Sequence, residues 1–182
     1  MANMGTIPPG QVQIGTRLGT WIRCDRCWIN MQDGDALIMH RFAIFRLPAS
    51  ALPAFLRPAG DGWYDYSSYD GGVLRELVEA KQILWLASHW RVALAARVVA
   101  TCMPTEDMDR PAPGLRYRRM ESSDGFSRWA DAGLLGVLAP TAQRLAAYRF
   151  ELIEPLHCFR VFAPPDTMPV AIISERIKEE AR

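Results

Sequence analysis

The sequence predicts one α+β domain in which a mixed sheet is flanked by a few helices. The chain has 182 residues, the usual size of a single domain, and the domain is expected to span residues 1–182. Hydrophobic residues make up 49% and charged residues 23%, which is the composition of a folded protein. Strand-like runs fill the first and last thirds of the chain, and helix-like spacing lies between them.

Apolar runs bounded by turn residues predict the strands of the first third. Asp33-Gly34 lies between two such runs and predicts a tight hairpin. A phase shift at Phe45 indicates a bulge or an edge position, and Pro53 limits a short helix over 48–52. The predicted strands are 11–14, 18–23, 28–31, 36–47 and a short aromatic strand formed by Trp63, Tyr64 and Tyr66.

The clearest predicted helix covers 72–82, where apolar residues recur at helical spacing. Residues 83–86 and 91–101 fit strands or a continuing helix, and strands are favoured. A long loop is expected over 104–125, where proline, glycine, serine and charge replace any periodicity. The remaining predictions are helices over 127–138 and 141–148, with Thr141 as a cap, strands over 149–153, 156–162 and 170–173, an N-terminal extension over 1–15 and a charged tail over 174–182.

Charge and cysteine content narrow the class of protein. The net charge of +1 gives no overall field toward nucleic acid or lipid, so any such binding must be local. Four cysteines are too few for a disulfide scaffold, and 1–15 lacks the pattern of a signal peptide. Charges interrupt the apolar run over 83–103, which predicts no membrane insertion. These features favour a cytoplasmic protein.

The junction at Asp70 is the strongest local motif. Gly71 and Gly72 stand at the predicted start of the 72–82 helix, where free amides and the helix dipole favour an anion. Asp70 is a candidate cap, and Arg75 lies one turn into the helix, within reach of a bound phosphate. The alternative is an ordinary Asp-Gly-Gly turn that caps a surface helix.

Asp70, Gly71 and Arg75, followed by Ala80-Lys81 at the helix end, resemble the phosphate loop of the ParB/sulfiredoxin-like fold. Over about residues 35–175 the chain is similar to the plasmid fertility-inhibition factors, which are related to the oncogenic-suppression protein. This similarity is carried by the runs 41–48 and 63–69 and by the Asp70 junction.

The resemblance implies a cytoplasmic bacterial protein that blocks conjugative DNA transfer. It implies binding and hydrolysis of ATP with Mg²⁺, and nicking or degradation of DNA. It also implies a partner in the type IV secretion machine, such as a coupling protein. The implied nucleotide-binding residues are Gly71, Gly72 and Arg75.

Carboxylates near the Asp70 junction suit metal-assisted phosphodiester cleavage, because Mg²⁺ takes one or two carboxylates together with phosphate oxygens. The candidate catalytic residues are Asp70, Arg75, Glu76 and Glu79, with Asp65 nearby. The alternative is that Glu76 and Glu79 form a solvated helix face, on which Glu79 pairs with Arg75.

Arg116, Arg118 and Arg119 are candidates for contact with a nucleic-acid backbone, with Arg110 and Tyr117 close in sequence. Acidic residues flank them on both sides, so a self-neutralised loop is the alternative.

Two further hypotheses involve no phosphate chemistry. Cys24 and Cys27 have zinc-knuckle spacing, but Cys102, His157 and Cys158 lack a second paired spacing, so a zinc-stabilised module is not favoured. The main rival is a catalytically inert inhibitor that binds a partner protein through an aromatic and arginine surface. The candidate aromatics are Trp63, Tyr64, Tyr66, Trp85 and Trp90.

Overall fold

The computed structural model describes residues 9–23, 25–40, 42–77 and 84–176. The helices are α1 (Pro9–Ile22), α2 (Leu84–Ala95), α3 (Ala132–Leu138) and α4 (Ala142–Leu145), with 3₁₀ turns at Ala49–Ala51, Ala54–Leu56 and Ser68–Asp70. The strands are β1 (Arg26–Gln32), β2 (Asp35–His40), β3 (Ala43–Pro48), β4 (Gly62–Ser67), β5 (Val73–Glu76), β6 (Arg97–Asp109), β7 (Tyr117–Ser122), β8 (Ser127–Asp131), β9 (Arg149–Glu154), β10 (Cys158–Phe162) and β11 (Ala171–Ser174).

The strands form one sheet in the order β5-β4-β1-β2-β3-β11-β10-β9-β6-β7-β8. The α+β class is therefore confirmed, but the sheet is antiparallel and not mixed. Contacts divide the described chain into two compact units. One contains residues up to 40 and 45–77, and the other contains residues 42–44 and 84–176. None of the helices in the described ranges has both the length and the apolar character needed to cross a bilayer.

Helix α1 occupies the region where two strands were predicted, so the strands over 11–14 and 18–23 are wrong. Ile14, Leu18 and Ile22 are fully buried and recur every four residues, which is a helical stripe. The intervening glycines allow close packing: a Cβ on Gly15 would lie 1.9 Å from the Ala51 carbonyl oxygen, and one on Gly19 would lie 2.7 Å from a proline carbon.

The Asp33-Gly34 hairpin is confirmed. Both residues have positive φ, 52° and 82°, and Gln32 pairs with Asp35 across the turn between β1 and β2. The single strand predicted over 36–47 is instead two strands, β2 and β3, with the exposed Phe42 between them. The short helix after Pro48 and the aromatic strand β4 are confirmed.

In the second unit, the strand order β11-β10-β9-β6-β7-β8 closes on itself. An isolated bridge joins Ala130 of β8 to Glu175, the residue that follows β11. The Arg176 backbone N–H also donates to the Trp129 carbonyl over 2.8 Å. We call this junction the seam. It leaves β8 without an open edge along this stretch.

The long loop predicted over 104–125 is wrong, because β6 continues to Asp109 and pairs with β7. The register of that pair shifts between Pro104 and Met108, which accommodates the proline in a strand. Only 110–116 connects the two strands. Many side chains of β6 and β7 are polar and exposed, so the sequence does not show the alternation of apolar and polar residues that indicates a strand.

Two predictions between β5 and β9 need similar correction. The favoured strands over 83–86 and 91–101 become α2 followed by β6, so only the end of the second range is a strand. The helix predicted over 127–138 begins as β8 and turns helical only at Ala132, where Asp131 accepts hydrogen bonds from the first-turn amides. Thr141 caps α4 as predicted, and β9, β10 and β11 are confirmed.

Arg160 on β10 holds the end of α2 in the second unit. Its Nη1 donates to the carbonyl oxygens of Ala93 and Leu94 over 3.0 and 2.8 Å, which satisfies groups that a helix end leaves open. Its Nη2 and Nε reach Glu151 on β9 over 2.7 and 2.9 Å. Both side chains of this ion pair are largely buried.

We expect Arg160→Met to lower the free energy of unfolding by about 3 kcal/mol, the lower end for a buried pair that loses one partner, since Arg149 still contacts Glu151. Urea denaturation measures it. The control is Arg97→Met, whose 80% exposed side chain pairs with Glu154 and should cost less than about 1 kcal/mol. Equal losses in the two variants would show that Arg160 is not an anchor.

Candidate functional site

The Asp70 junction is a strand-to-strand turn. Residues 73–76 form β5 and not the start of a helix, so the helix predicted over 72–82 is wrong in its described part. Gly71 and Gly72 have φ of 82° and 67°, a left-handed conformation that does not begin an α-helix. The Gly72 amide donates to the Ser67 carbonyl over 3.1 Å and is not open to a ligand.

Two of the predicted catalytic residues, Arg75 and Glu76, do not face one point in the described structure. Asp70, Arg75 and Glu76 are exposed, and neighbours such as Arg75 and Glu76 point to opposite faces of a strand. Asp65 lies opposite Arg75 in the β4–β5 register, but Arg26 holds its carboxylate with two hydrogen bonds of 2.9 Å. Glu79 lies outside the described residues.

The predicted nucleic-acid arginines are mostly engaged by the protein itself. Arg118 is only 11% exposed and contacts the Thr105 carbonyl and the Glu106 carboxylate. Arg119 donates to Asp107 over 3.1 Å and to a serine hydroxyl over 3.0 Å. Arg116 is exposed in the 110–116 connection. The structure therefore leaves one of the three predicted arginines displayed to solvent.

The described cysteines are buried or half-buried thiols. Burial raises the pKa of Cys27, Cys102 and Cys158, so none has the lowered pKa of a reactive thiolate. Cys24 lies outside the described residues. Within the parts of the chain that the structure covers, no group of three or more histidine, cysteine or acidic residues is placed to hold a metal ion.

Most of the aromatics predicted to form a docking surface are not displayed to solvent. Tyr64, Tyr66 and Trp90 lie in the hydrophobic core, and Trp63 is half-buried. Nothing is described for the Trp85 side chain. The exposed ring in this part of the chain is Tyr69, 80% exposed, just before the Asp70 turn.

Strand β5 ends the sheet order, and its outer side meets no other strand among the described residues. Leu77 N donates to Trp63 O over 2.8 Å, which identifies one hydrogen-bonded pair of the β4–β5 ladder. Because such pairs alternate along an antiparallel ladder, the backbone groups of Leu74 and Glu76 face outward. We call residues 69–77 the β5 edge.

A cavity of about 260 Å³ lies at the seam of the second unit. Sequence reasoning missed it, because its residues come from four separate stretches of the chain and no local motif joins them. Its lining residues are Phe42, Tyr117, Asp131, Leu134, Ser174, Glu175 and Arg176.

Charged groups of the seam cavity are incompletely paired. Glu175 is only 5% exposed, and its Oε1 lies 3.3 Å from Arg128. Its Oε2 accepts no hydrogen bond and lies 3.7 Å from Nδ1 of the half-exposed His157. Arg176 stacks on the Tyr117 ring at 4.0 Å, while its Nε is buried without a partner. Each unpaired buried group costs about 1–3 kcal/mol.

A larger cleft of about 530 Å³ lies between the β9 start and the 162–166 segment. It is wide open to solvent. Its arginine, Arg149, already stacks on Phe162 at 4.1 Å and pairs with Glu151 over 3.2 Å. Arg149 is therefore already engaged by the protein itself in this cleft.

No family model, curated protein or solved structure matches this chain.

Asp124 supports Arg128, the arginine behind Glu175. The nearby Ser122 hydroxyl, a hydrogen bond from Arg128 over 2.7 Å and one from the Phe126 amide lower the pKa of Asp124 to about 2. A lowered native pKa stabilises the fold above the unfolded pKa of about 3.9, and this contribution is lost as the pH falls toward the native pKa.

We therefore expect Asp124→Asn to be less stable than the wild type by a constant difference between pH 7 and pH 5. The difference should shrink as the pH falls from about 4 toward 2, as followed by urea unfolding at each pH. A difference that persists unchanged at pH 2 would mean that the Asp124 charge contributes nothing to it.

Proposed function

We propose that this protein is a non-enzymatic inhibitor that binds an extended segment of a partner protein along the β5 edge. The observation that carries the proposal is the row of outward backbone groups on β5, which meets no strand among the described residues. Edge strands of this kind bind partners by strand addition, in which backbone hydrogen bonds give affinity and side-chain contacts give specificity.

Side chains along the β5 edge indicate what kind of partner segment would fit there. Val73 is 55% exposed and, with Tyr69, adds apolar surface beside the open backbone. Arg75 and Glu76 carry opposite charges on opposite faces of the strand. A complementary segment has an acidic residue on the Arg75 face and a basic residue on the Glu76 face.

The process that we propose is inhibition of conjugative DNA transfer in a bacterial cytoplasm. It is supported by the resemblance to plasmid fertility-inhibition factors, with a type IV secretion component such as a coupling protein as the partner. The ParB/sulfiredoxin-like assignment belongs to the same proposal and rests on Asp70, Gly71 and Arg75. Binding of ATP or DNA phosphates is less well supported, because those residues lie on a turn and a strand and not around a helix N-terminus.

Expression of the protein in a donor strain should lower the transfer frequency of a plasmid that uses a type IV secretion system. Glu76→Pro should restore transfer at least tenfold, because proline removes an outward N–H and leaves the β4–β5 ladder intact. Mating counts measure the effect.

Glu76→Ala is the matched control, since it removes the same side chain and keeps the backbone donor. Transfer should stay inhibited with this variant, and circular dichroism should show both variants folded. Equal transfer with wild type and Glu76→Pro would contradict binding at the β5 edge, and no inhibition by the wild type would contradict the process.

Purified protein with Mg²⁺, ATP and plasmid DNA should release no more phosphate, and nick no more DNA, than Arg75→Ala does. The reason is that Arg75 and Glu76 point to opposite faces of β5 and cannot act together on one phosphate. Malachite-green phosphate assays and agarose gels measure both activities. Hydrolysis that falls at least tenfold in Arg75→Ala would support the enzymatic hypothesis over the inert inhibitor.

A further inference from the structure

The connection between β6 and β7 is an exposed loop over residues 110–116, and we call it the arginine loop. All of its residues are exposed, and they border a surface concavity with a volume of about 640 Å³. The ladder between the two strands ends at the pair Asp109 and Tyr117. Arg110 and Arg116 therefore leave the ladder at opposite positions and stand at the two ends of the loop.

The backbone of the arginine loop is held in a defined turn. The Leu115 amide donates to the Ala112 carbonyl over 3.1 Å. Between them, Pro113 is followed by Gly114 with φ of 80°, which is the arrangement of a type II turn. Pro111 restricts one more φ angle. Because the loop is ordered in advance, a ligand that binds it causes little further loss of conformational entropy.

Two positive charges of this loop have no counter-charge. The side chains of Arg110 and Arg116 form no ion pair, hydrogen bond or ring contact in the part of the chain that the structure describes. Asp109, the acidic residue next to the loop, is half-buried and pairs with neither of them. Like charges at facing positions of a hairpin repel each other, so a bound anion would relieve an unfavourable interaction.

The base of the same hairpin is largely neutralised. Residues 103–122 contain four arginines and four acidic residues. Arg118 pairs with Glu106 over 3.4 Å, and Arg119 pairs with Asp107 over 3.1 Å. The unpaired positive charge of the hairpin is therefore concentrated in the arginine loop.

The exposure of these arginines indicates the kind of anion that can bind them. An exposed arginine gains at most about 1 kcal/mol from a single carboxylate, because water and salt screen the pair. Duplex DNA carries one charge per ~1.7 Å of its axis and releases condensed counterions when arginines replace them, so it binds arginines that stay exposed. A polymer of phosphates thus suits the loop better than an acidic peptide does.

Apolar residues lie between the two arginines. Leu115 is 42% exposed, and Pro111 and Pro113 are exposed beside it. Proteins that bind the minor groove of DNA combine arginines with apolar side chains of this kind, leucine and proline among them.

We propose that the arginine loop binds double-stranded DNA, with Arg110 and Arg116 on backbone phosphates and Leu115 against the minor groove. The sequence predicted Arg116 as a nucleic-acid contact, and Arg110 takes the place of Arg118 and Arg119, which the protein itself engages. The loop belongs to the second unit and the β5 edge to the first, so the proposal does not depend on the function proposed for that edge.

The test titrates a fluorescein-labelled duplex of about 20 base pairs with the purified full chain, from about 50 to about 200 mM NaCl, and follows anisotropy. The wild type should bind with a Kd of about 100 µM or lower at the lowest salt, within the range of non-specific DNA binding. Absence of binding at this salt would overturn the proposal.

The double variant Arg110→Gln/Arg116→Gln locates the contact. It should weaken binding at least tenfold at the lowest salt and reduce the slope of log K against log salt by about two, since each phosphate contact contributes about 0.9. The matched control, Arg91→Gln/Arg144→Gln, removes two exposed arginines of the same unit that also form no ion pair, and should change the affinity less than twofold. Equal losses in the two double variants would show that binding follows overall charge and would overturn the proposal.

Two further measurements separate the groove contact and the class of partner. Leu115→Ala should weaken binding at least threefold without changing the salt slope, and an unchanged affinity would overturn the minor-groove contact. Labelled poly-L-glutamate with the same number of charges should bind at least tenfold more weakly than the duplex. Equal binding of the two polymers would identify an acidic protein as the partner and overturn the proposal. All of the substituted side chains are exposed, and circular dichroism confirms that the variants are folded.

Discussion

Three consecutive backbone amides connect distant stretches of the second unit through hydrogen bonds. Those of Ser174, Glu175 and Arg176 donate to the carbonyls of Phe42, His157 and Trp129 over 2.9, 2.8 and 2.8 Å. One short segment thereby ties together three stretches that are distant in sequence. These hydrogen bonds fix the backbone of Glu175 and Arg176, and both residues line the seam cavity.

The sequence predicted correctly several elements that depend on interactions between neighbouring residues. The Asp33-Gly34 turn, the Thr141 cap and the closing strands were predictable, because each depends on a few adjacent residues. Helix α1 was missed because Gly15 and Gly19 resembled strand boundaries, whereas they permit contact with a turn more than 30 residues away. Tertiary packing decided the structure there.

The Asp70 motif shows the opposite error. Its glycines were predicted to let a helix start approach an anion, whereas both have positive φ and form a turn between two strands. The secondary structure predicted after the glycines was wrong. The spacing of Val73, Leu74 and Leu77 suggested a helix, but it also fits a short strand at an edge. The seam cavity could not be predicted from the sequence, because its residues meet only after the strands of the second unit close.

Several arginines of this protein bind groups of the protein itself. Arg26, Arg118, Arg128 and Arg160 each bind a carboxylate of the same unit, and several also lie over aromatic rings. Their planar forks allow one residue to satisfy several acceptors at once, as Arg160 does. The sequence supplies carboxylates for such pairs, since its 21 basic residues are accompanied by 20 acidic ones.

The two ends of the sheet differ in a way that limits self-assembly. At β8 the Glu175 bridge and the Arg176 amide occupy the outer side of the strand, whereas β5 meets no strand among the described residues. A ribbon that grows by strand addition needs a donor edge and an acceptor edge on every copy. Strand addition between copies at β5 would therefore join two molecules, whereas β8 is already covered at Trp129 and Ala130 and offers no free edge there to a further copy.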